Sequence, residues 1–294
     1  MMFIMSASVL LLLAFPSVIS EVVDFSECSE FFYKGQSPVI PGILENSRSQ
    51  DNRYKTICQK YTNKYRFGTL YDTTNRIPVF SAYKFTSENT TKRPHLKWMG
   101  EPQLEPPSDE MGVPYENQAT DDDYVQTEMQ KHTVNRGHLF PCCHAVDPDT
   151  ARSTFTYTNI VPQKISFNSG SWNRMERETI KVMSEHCRDK MDQNNVLAHV
   201  LTGAVHGINK LNERVNIPSF MWMTFCCYKS STSSWSSQAY WAPNQDEKIN
   251  NVTIAEIRLE RLQELLSTEW VNITQLFTNN CTENLNISIP LKVD

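Results

Sequence analysis

His138, Asn168 and Glu176 are the side chains whose types and spacing suggest chemistry. His138 sits in the stretch Asn135-Arg136-Gly137-His138-Leu139-Phe140-Pro141. An imidazole near its unperturbed pKa can act as a general base at neutral pH. Arg136 beside it offers a cation, and Gly137 permits a backbone bend that would let the ring face a site. Asn168 and Glu176 supply an amide and a carboxylate near the start of a helix, and oxygen donors of that kind suit a hard, mostly hydrated cation such as Mg²⁺. Each residue also has a structural reading. Core histidines are usually packing residues, Asn168 could cap the helix, and Glu176 could form a buried salt bridge.

The helix that must carry two of them is the clearest element, running from about Ser169 to Met191. With about 100° per residue and Trp172 at zero, Met175, Thr179, Met183, His186 and Cys187 form one apolar stripe. Glu176 falls inside that stripe at about 40°, and Asn168 projects to about −40° if the register extends back one turn. A carboxylate on a buried face is costly unless paired or near a cation. Upstream, Tyr124 to Val134 could be a strand leading into the histidine segment. Pro78 to Thr86, Phe155 to Val161, Val196 to Val205 and Phe220 to Tyr228 read as short apolar strands. Alternation in the second puts Asn159 on one face with Phe155, Tyr157 and Val161, where its amide needs backbone or catalytic partners. Ile254 to Leu266 reads as an amphipathic packing helix. Residues 101–130 hold nine acids, four prolines and no Lys or Arg, the pattern of a long solvated loop. Strands and helices without a βαβ rhythm predict an α+β domain.

The 294 residues are 39% hydrophobic and 21% charged with a net charge of −5, which excludes a disordered or collagen-like chain and one that coats nucleic acid by bulk charge. Val9 to Phe15 form an apolar core, followed by Val18 and Ser20 at the −3 and −1 positions of a cleavage site. We expect residues 1–20 to be a secretory signal peptide, although no basic residue precedes the core. Eight cysteines and sequons at Asn89, Asn251, Asn272, Asn280 and Asn286 fit an exported, disulfide-bonded glycoprotein, with 105 pairings open. Cys226 and Cys227 should face opposite sides of a strand. Zinc binding by Cys142-Cys143-His144 is a weak alternative, since neighbours on an extended chain point apart, as is a thiol nucleophile near His138. Only nine glycines are present, with no Gly-x-Ser-x-Gly elbow or phosphate-cradling loop.

Four segments together, Asn135-Arg136-Gly137-His138, Thr158-Asn159-Ile160-Val161-Pro162-Gln163, Phe167-Asn168-Ser169-Gly170-Ser171-Trp172 and Met175-Glu176, resemble the DNA/RNA non-specific endonuclease family. The resemblance spans about residues 60 to 230 and is strongest among the vertebrate secreted endonuclease-domain-containing proteins. It implies the ββα-metal (His-Me finger) fold in one domain over residues 21–294, with a C-terminal helical extension.

The resemblance also implies roles. His138 would be the base that activates water against phosphorus, Asn168 the one direct ligand of a Mg²⁺ or Mn²⁺ ion, and Glu176 the acid that orients the ion's water shell. Asn159 would be a polar active-site residue beside the histidine, Arg136 the motif arginine, and Arg93 an upstream phosphate-binding arginine. Two positions depart from the family: its motif often begins with Asp where this chain has Asn135, and bacterial members carry an arginine where this chain has Ile180. The implied activity is Mg²⁺-dependent endonucleolytic hydrolysis of DNA and RNA through phosphate contacts, leaving 5′-phosphate ends. The alternative is a secreted glycoprotein of the same fold that binds nucleic acid or a protein with weak or no cleavage.

Overall fold

The computed structural model describes residues 21–87, 93–105, 115–248, 252–270, 274–278, 281 and 283–285. The expected signal peptide, all five sequon asparagines and part of the acidic loop lie outside the described residues. Strands Tyr54–Tyr61 (β1), Lys64–Asp72 (β2) and Ile77–Phe85 (β3) form an antiparallel meander. Thr62 and Asn63, both at positive φ, make the two-residue turn between β1 and β2. That geometry matches the right-handed twist of a hairpin. Next come helix Gln126–His132 (α1), strand Val134–His138 (β4), helix Pro148–Ser153 (α2) and strand Ile160–Lys164 (β5). Beyond a turn at Ile165–Phe167 and a π-helical segment at Asn168–Trp172 lies helix Asn173–His186 (α3). Strands Ala198–Val205 (β6), Phe220–Lys229 (β7) and Ser234–Pro243 (β8) and helix Leu259–Trp270 (α4) follow.

A nine-stranded sheet runs in the order Glu21–Val22, β1, β2, β3, β6, β7, β8, with Glu256–Ile257 and Glu283–Asn284 on the outer edge of β8. Its two faces bury separate cores, as the pleat dictates: Met221, Met223 and Phe225 of β7 point into one, and Trp222 and Cys226 into the other. The first core lies beneath α3 and the β4–β5 pair, an antiparallel two-stranded unit in which Asn135 faces Gln163 and His138 faces Ile160. The second is filled by Phe25, Phe31 and Phe32, Leu262 and Leu266 of α4, and Leu276. Disulfides join Cys28 to Cys58, Cys187 to Cys227 and Cys226 to Cys281, so the adjacent cysteines of β7 do serve opposite faces. Among the described residues, no helix is long and apolar enough to cross a membrane.

Three local expectations are corrected. Tyr124 to Val134 is not a strand: α1 occupies most of it, and the chain becomes extended only after Thr133 adopts a left-handed conformation at the helix end. Phe155 to Asn159 is a tight turn closed by Asn159 N–H donating to the Thr156 carbonyl at 3.0 Å, and the strand starts at Ile160. The acidic stretch is not all solvated, because Leu104, Gln118, Ala119, Asp123 and Tyr124 are buried. The remaining elements agree to within a few residues, although α3 ends five residues before the expected Met191 and α4 begins five residues after the expected start.

Candidate active site

Strand β4 and the helix start meet at two amides. Asn168 Nδ2 donates to Asn135 Oδ1 at 2.6 Å, which leaves the Asn168 carbonyl oxygen for another partner. Asn135, at the head of the motif, therefore touches the helix-borne amide. Asn168 does not occupy its expected angle on the helical wheel, because the π-helical segment winds more residues per turn and breaks the register. The stripe itself is as expected for Met175, Glu176, Thr179 and Met183, all buried, whereas His186 is half-exposed. Gly137 serves close packing instead of a bend. It lies inside a regular strand, and a Cβ there would overlap the Gln163 side chain, whose own Cβ is 2.6 Å away.

His138 ends β4, three residues or about 10 Å along the strand from Asn135. Its ring packs against Trp98 and Phe155, with centroids 5.2 and 5.0 Å apart. Burial, followed by the charge of Arg93, pushes its pKa down to about 3, so the imidazole is neutral at physiological pH. Nε2 is buried without a hydrogen-bond partner among the described residues. Arg93 lies over the Phe155 ring at 5.2 Å, and its charge also acts on Cys142 and Glu176. Arg136 shares the His138 face of β4. Its guanidinium lies over Trp98 and Tyr124, at 5.7 and 5.0 Å, and donates to Asp121 at 2.9 Å.

Glu176 is buried, and desolvation raises its pKa to about 8 against weaker opposing effects from the Trp172 indole, Arg177 and Arg93. The indole leans on the carboxyl without forming a geometrically complete hydrogen bond. Beneath it, the fully buried His144 bridges two elements. Because a carbonyl only accepts, His144 Nε2 donates to the Glu176 carbonyl at 3.0 Å, and Nδ1 accepts from Tyr83 OH at 3.0 Å. Both ring nitrogens are thus engaged, which removes His144 from the zinc alternative. Burial raises the thiol pKa values of Cys142 and Cys143, the opposite of what a nucleophile needs.

Asn159 is a fully buried hub. Its Oδ1 accepts from Ser81 Oγ and from Phe140 N–H, each at 2.9 Å, and its Nδ2 donates to the Phe140 and Thr154 carbonyls at 3.1 and 3.0 Å. Its backbone carbonyl holds Leu139 N–H at 2.9 Å. Three of these bonds fix the chain just after His138, and the other two hold Ser81 and Thr154. Ile180, where bacterial members carry arginine, packs into the core and presents no charge.

The sequence profile of the DNA/RNA non-specific endonuclease family matches residues 46–271. The chain belongs to this family. The endonuclease domain-containing 1 protein of Homo sapiens is 28% identical over 276 residues, covering 90% of this chain and 49% of that protein, and its Mus musculus counterpart is 26% identical. The chain therefore spans about half the length of these curated relatives. A nuclease of Nostoc sp. is 24% identical over 169 residues, 54% of this chain and 56% of that protein. Among solved structures, the EndoG/EndoGI complex superposes with a TM-score of 0.50 at 16% identity, over 70% of this chain and 81% of that chain. The fold is that of a ββα-metal nuclease, with β4, β5 and the helix through α3 as its ββα unit.

The donors suit the divalent cation that this family implies. Asn168 turns one amide oxygen away from its bond to Asn135, and an amide oxygen is a hard donor. A single protein oxygen matches a cation that keeps most of its water. Sequence reading missed Trp98, which meets both His138 and Arg136, and Gln163, whose buried amide atoms have no partner among the described residues. Trp98 lies outside every motif. Gln163 closes the Thr158–Gln163 segment, a position that hinted at a role.

Proposed function

We propose that this chain is an exported, metal-dependent, sequence-non-specific endonuclease that hydrolyses phosphodiester bonds of DNA and RNA. The observation that carries the reading is the 2.6 Å bond from Asn168 to Asn135, because it fastens the helix-borne cation donor to the strand that ends in the candidate base His138. His138 Nε2, neutral and unpartnered, accepts the proton of a water attacking phosphorus. Arg93 and Arg136 hold phosphate oxygens, and stacking on Phe155, Trp98 and Tyr124 keeps the two guanidinium planes oriented. Asn168 would hold a Mg²⁺ or Mn²⁺ ion through its amide oxygen, and the ion would supply Lewis-acid charge to the reacting phosphate. Glu176, once ionised, orients water nearby, and Asn159 fixes the turn after His138. Binding through phosphates predicts little sequence preference and steep salt dependence. The products carry 5′-phosphate ends.

Three disulfides support export, and one sheet collecting strands from Glu21 to Asn284 supports a single nuclease domain over 21–294. A second reading, a secreted binding protein with weak or no cleavage, is favoured by the neutral Asn135 and the uncharged, buried Ile180. Incubating the purified protein with plasmid and with RNA, in Mg²⁺ and in chelator, separates the two. Cleavage in Mg²⁺ that chelator abolishes supports the enzyme, whereas intact substrates with retained binding support the second reading.

A further inference from the structure

The four residues after β8 turn back over the junction between β5 and the helix. Asn244, buried, accepts from Lys164 N–H at 2.8 Å and donates to the Pro162 and Pro218 carbonyls at 3.1 and 2.9 Å. Asp246 pairs with Lys164 Nζ at 3.2 Å and accepts from Thr133 Oγ1 at 3.1 Å. Glu247 reaches furthest. Its backbone N–H donates to Ser166 Oγ at 2.9 Å, while its carboxylate accepts from Ser171 N–H at 3.2 Å and from the Ser171 hydroxyl. The carboxylate also fills the space over Gly170 that any Cβ would occupy.

Ser166 and Ser171 lie on either side of Asn168, two residues before it and three after. Between them the backbone is not an ordinary helix, for Asn168–Trp172 is π-wound and Gly170 departs from helical angles at φ −97°, ψ −114°. A π-wound turn is uncommon and needs something to hold it against the regular winding. The N–H groups at a helix start also lack intrahelical acceptors, and a carboxylate there is favoured by the helix dipole. Glu247 gives the Ser171 N–H, two residues before α3, an acceptor, and brings negative charge near the helix start from 76 residues away in sequence. Without that grip, a return to α-winding would rotate Asn168 around the axis, by up to about 100° per residue gained or lost. Its carboxamide would then leave Asn135.

We propose that Glu247 is a positioning residue that locks the π-wound turn so that Asn168 stays against Asn135 with its oxygen open to a divalent cation. This rests on the metal-dependent reading of the site, and Glu247 acts only through Asn168. The test is Mn²⁺ binding, followed by electron paramagnetic resonance, in the wild-type protein and in Glu247→Ala, Glu247→Gln and Asn168→Ala, with thermal unfolding of each. Residues that orient metal ligands from outside typically change affinity by about 10–100-fold when removed. Glu247→Ala should therefore weaken Mn²⁺ at least ~10-fold, with cleavage largely restored at saturating metal. Glu247→Gln, whose amide oxygen still accepts the Ser171 N–H, should recover most of that affinity. Equal Mn²⁺ affinity in wild type and Glu247→Ala would overturn the assignment alone, as would equal loss in both Glu247 variants in step with a common drop in unfolding temperature. Wild-type protein that binds no Mn²⁺ would overturn the metal-dependent reading as well.

Discussion

The two faces of the nine-stranded sheet bury different kinds of side chain. Beneath α3 and the β4–β5 pair, hydrogen-bonded polar groups thread an apolar core: Thr69 meets Ser81, Ser81 meets Asn159, Tyr83 meets His144, and His144 meets the backbone of Glu176. The opposite face buries mainly aromatic and aliphatic side chains, from Phe25 and Phe80 to Trp222 and Leu266, and carries the Cys28–Cys58 and Cys226–Cys281 disulfides. A buried polar chain holds atoms in fixed directions, because an orphaned donor or acceptor inside a protein costs about 1–3 kcal/mol. An apolar face contributes stability while specifying direction only loosely. One face therefore aims the site, and the other secures the sheet that carries it.

The largest expected effect separates the faces most sharply. His138→Ala should lower cleavage by about 10²–10⁴-fold, the usual contribution of a general base. The change also removes a buried ring that packs on Trp98 and Phe155, so the loss of cleavage per folded molecule should far exceed what the lowered unfolding temperature accounts for. A plasmid-relaxation assay beside thermal melting reads both, and full-strength cleavage would end the catalytic assignment. Replacing Cys226 and Cys281 by serine should do the reverse, costing about 2–5 kcal/mol of stability while the folded fraction cleaves at the wild-type rate. Chemical unfolding beside an activity assay normalised to folded protein checks this.

Asn159→Ala tests whether the polar face couples aim to stability. It strips partners from Ser81, the Phe140 N–H and carbonyl, and the Thr154 carbonyl, and should cost about 2–4 kcal/mol. It should also slow cleavage, since the turn after His138 loses its anchor. A stability loss with an unchanged rate would show that the polar face only packs.

The mildest effects are in pH. His138 and His144 on one face, and His199 on the other, titrate near 3, 4 and 4 when folded because burial disfavours the charged ring. The unfolded chain takes up those protons near 6.5, so stability should fall as pH drops below about 6.5 and keep falling to about 3. Glu176 has the opposite sign. The folded protein keeps its proton to about pH 8 while the unfolded chain releases it near 4.5, so this contribution is complete at acid pH and lost as pH rises through 8. Unfolding curves of His199→Gln and Glu176→Gln between pH 4 and 9 should each flatten one limb. With limiting Mg²⁺, the wild-type cleavage rate should rise toward pH 8 as Glu176 ionises, and added Mg²⁺ should move that rise to lower pH.

The family, the α+β class, the buried stripe of α3 and the strands β3, β6 and β7 were legible in the residues, because apolar periodicity and a dense motif are local properties. Strands β1, β2 and β8 were not. Tyr54–Tyr61 mixes lysine and glutamine with apolar residues, and Thr62-Asn63 lacks the glycine that marks a tight hairpin. His138, Asn168, Glu176, Asn159, Arg136 and Arg93 could each be named from the sequence, but how they are held could not. Glu247, far along the chain, bonds the serines on either side of Asn168 in the π-wound turn that redirects it. Asn135 serves that amide because the β4–β5 pairing sets it there. The pKa directions follow from burial beneath Trp98, Phe155 and the sheet. Residue type and local spacing fixed which groups are present. Contacts between distant segments decided their direction, neighbours and charge state, because desolvation and hydrogen-bond geometry arise only once the chain has closed around them.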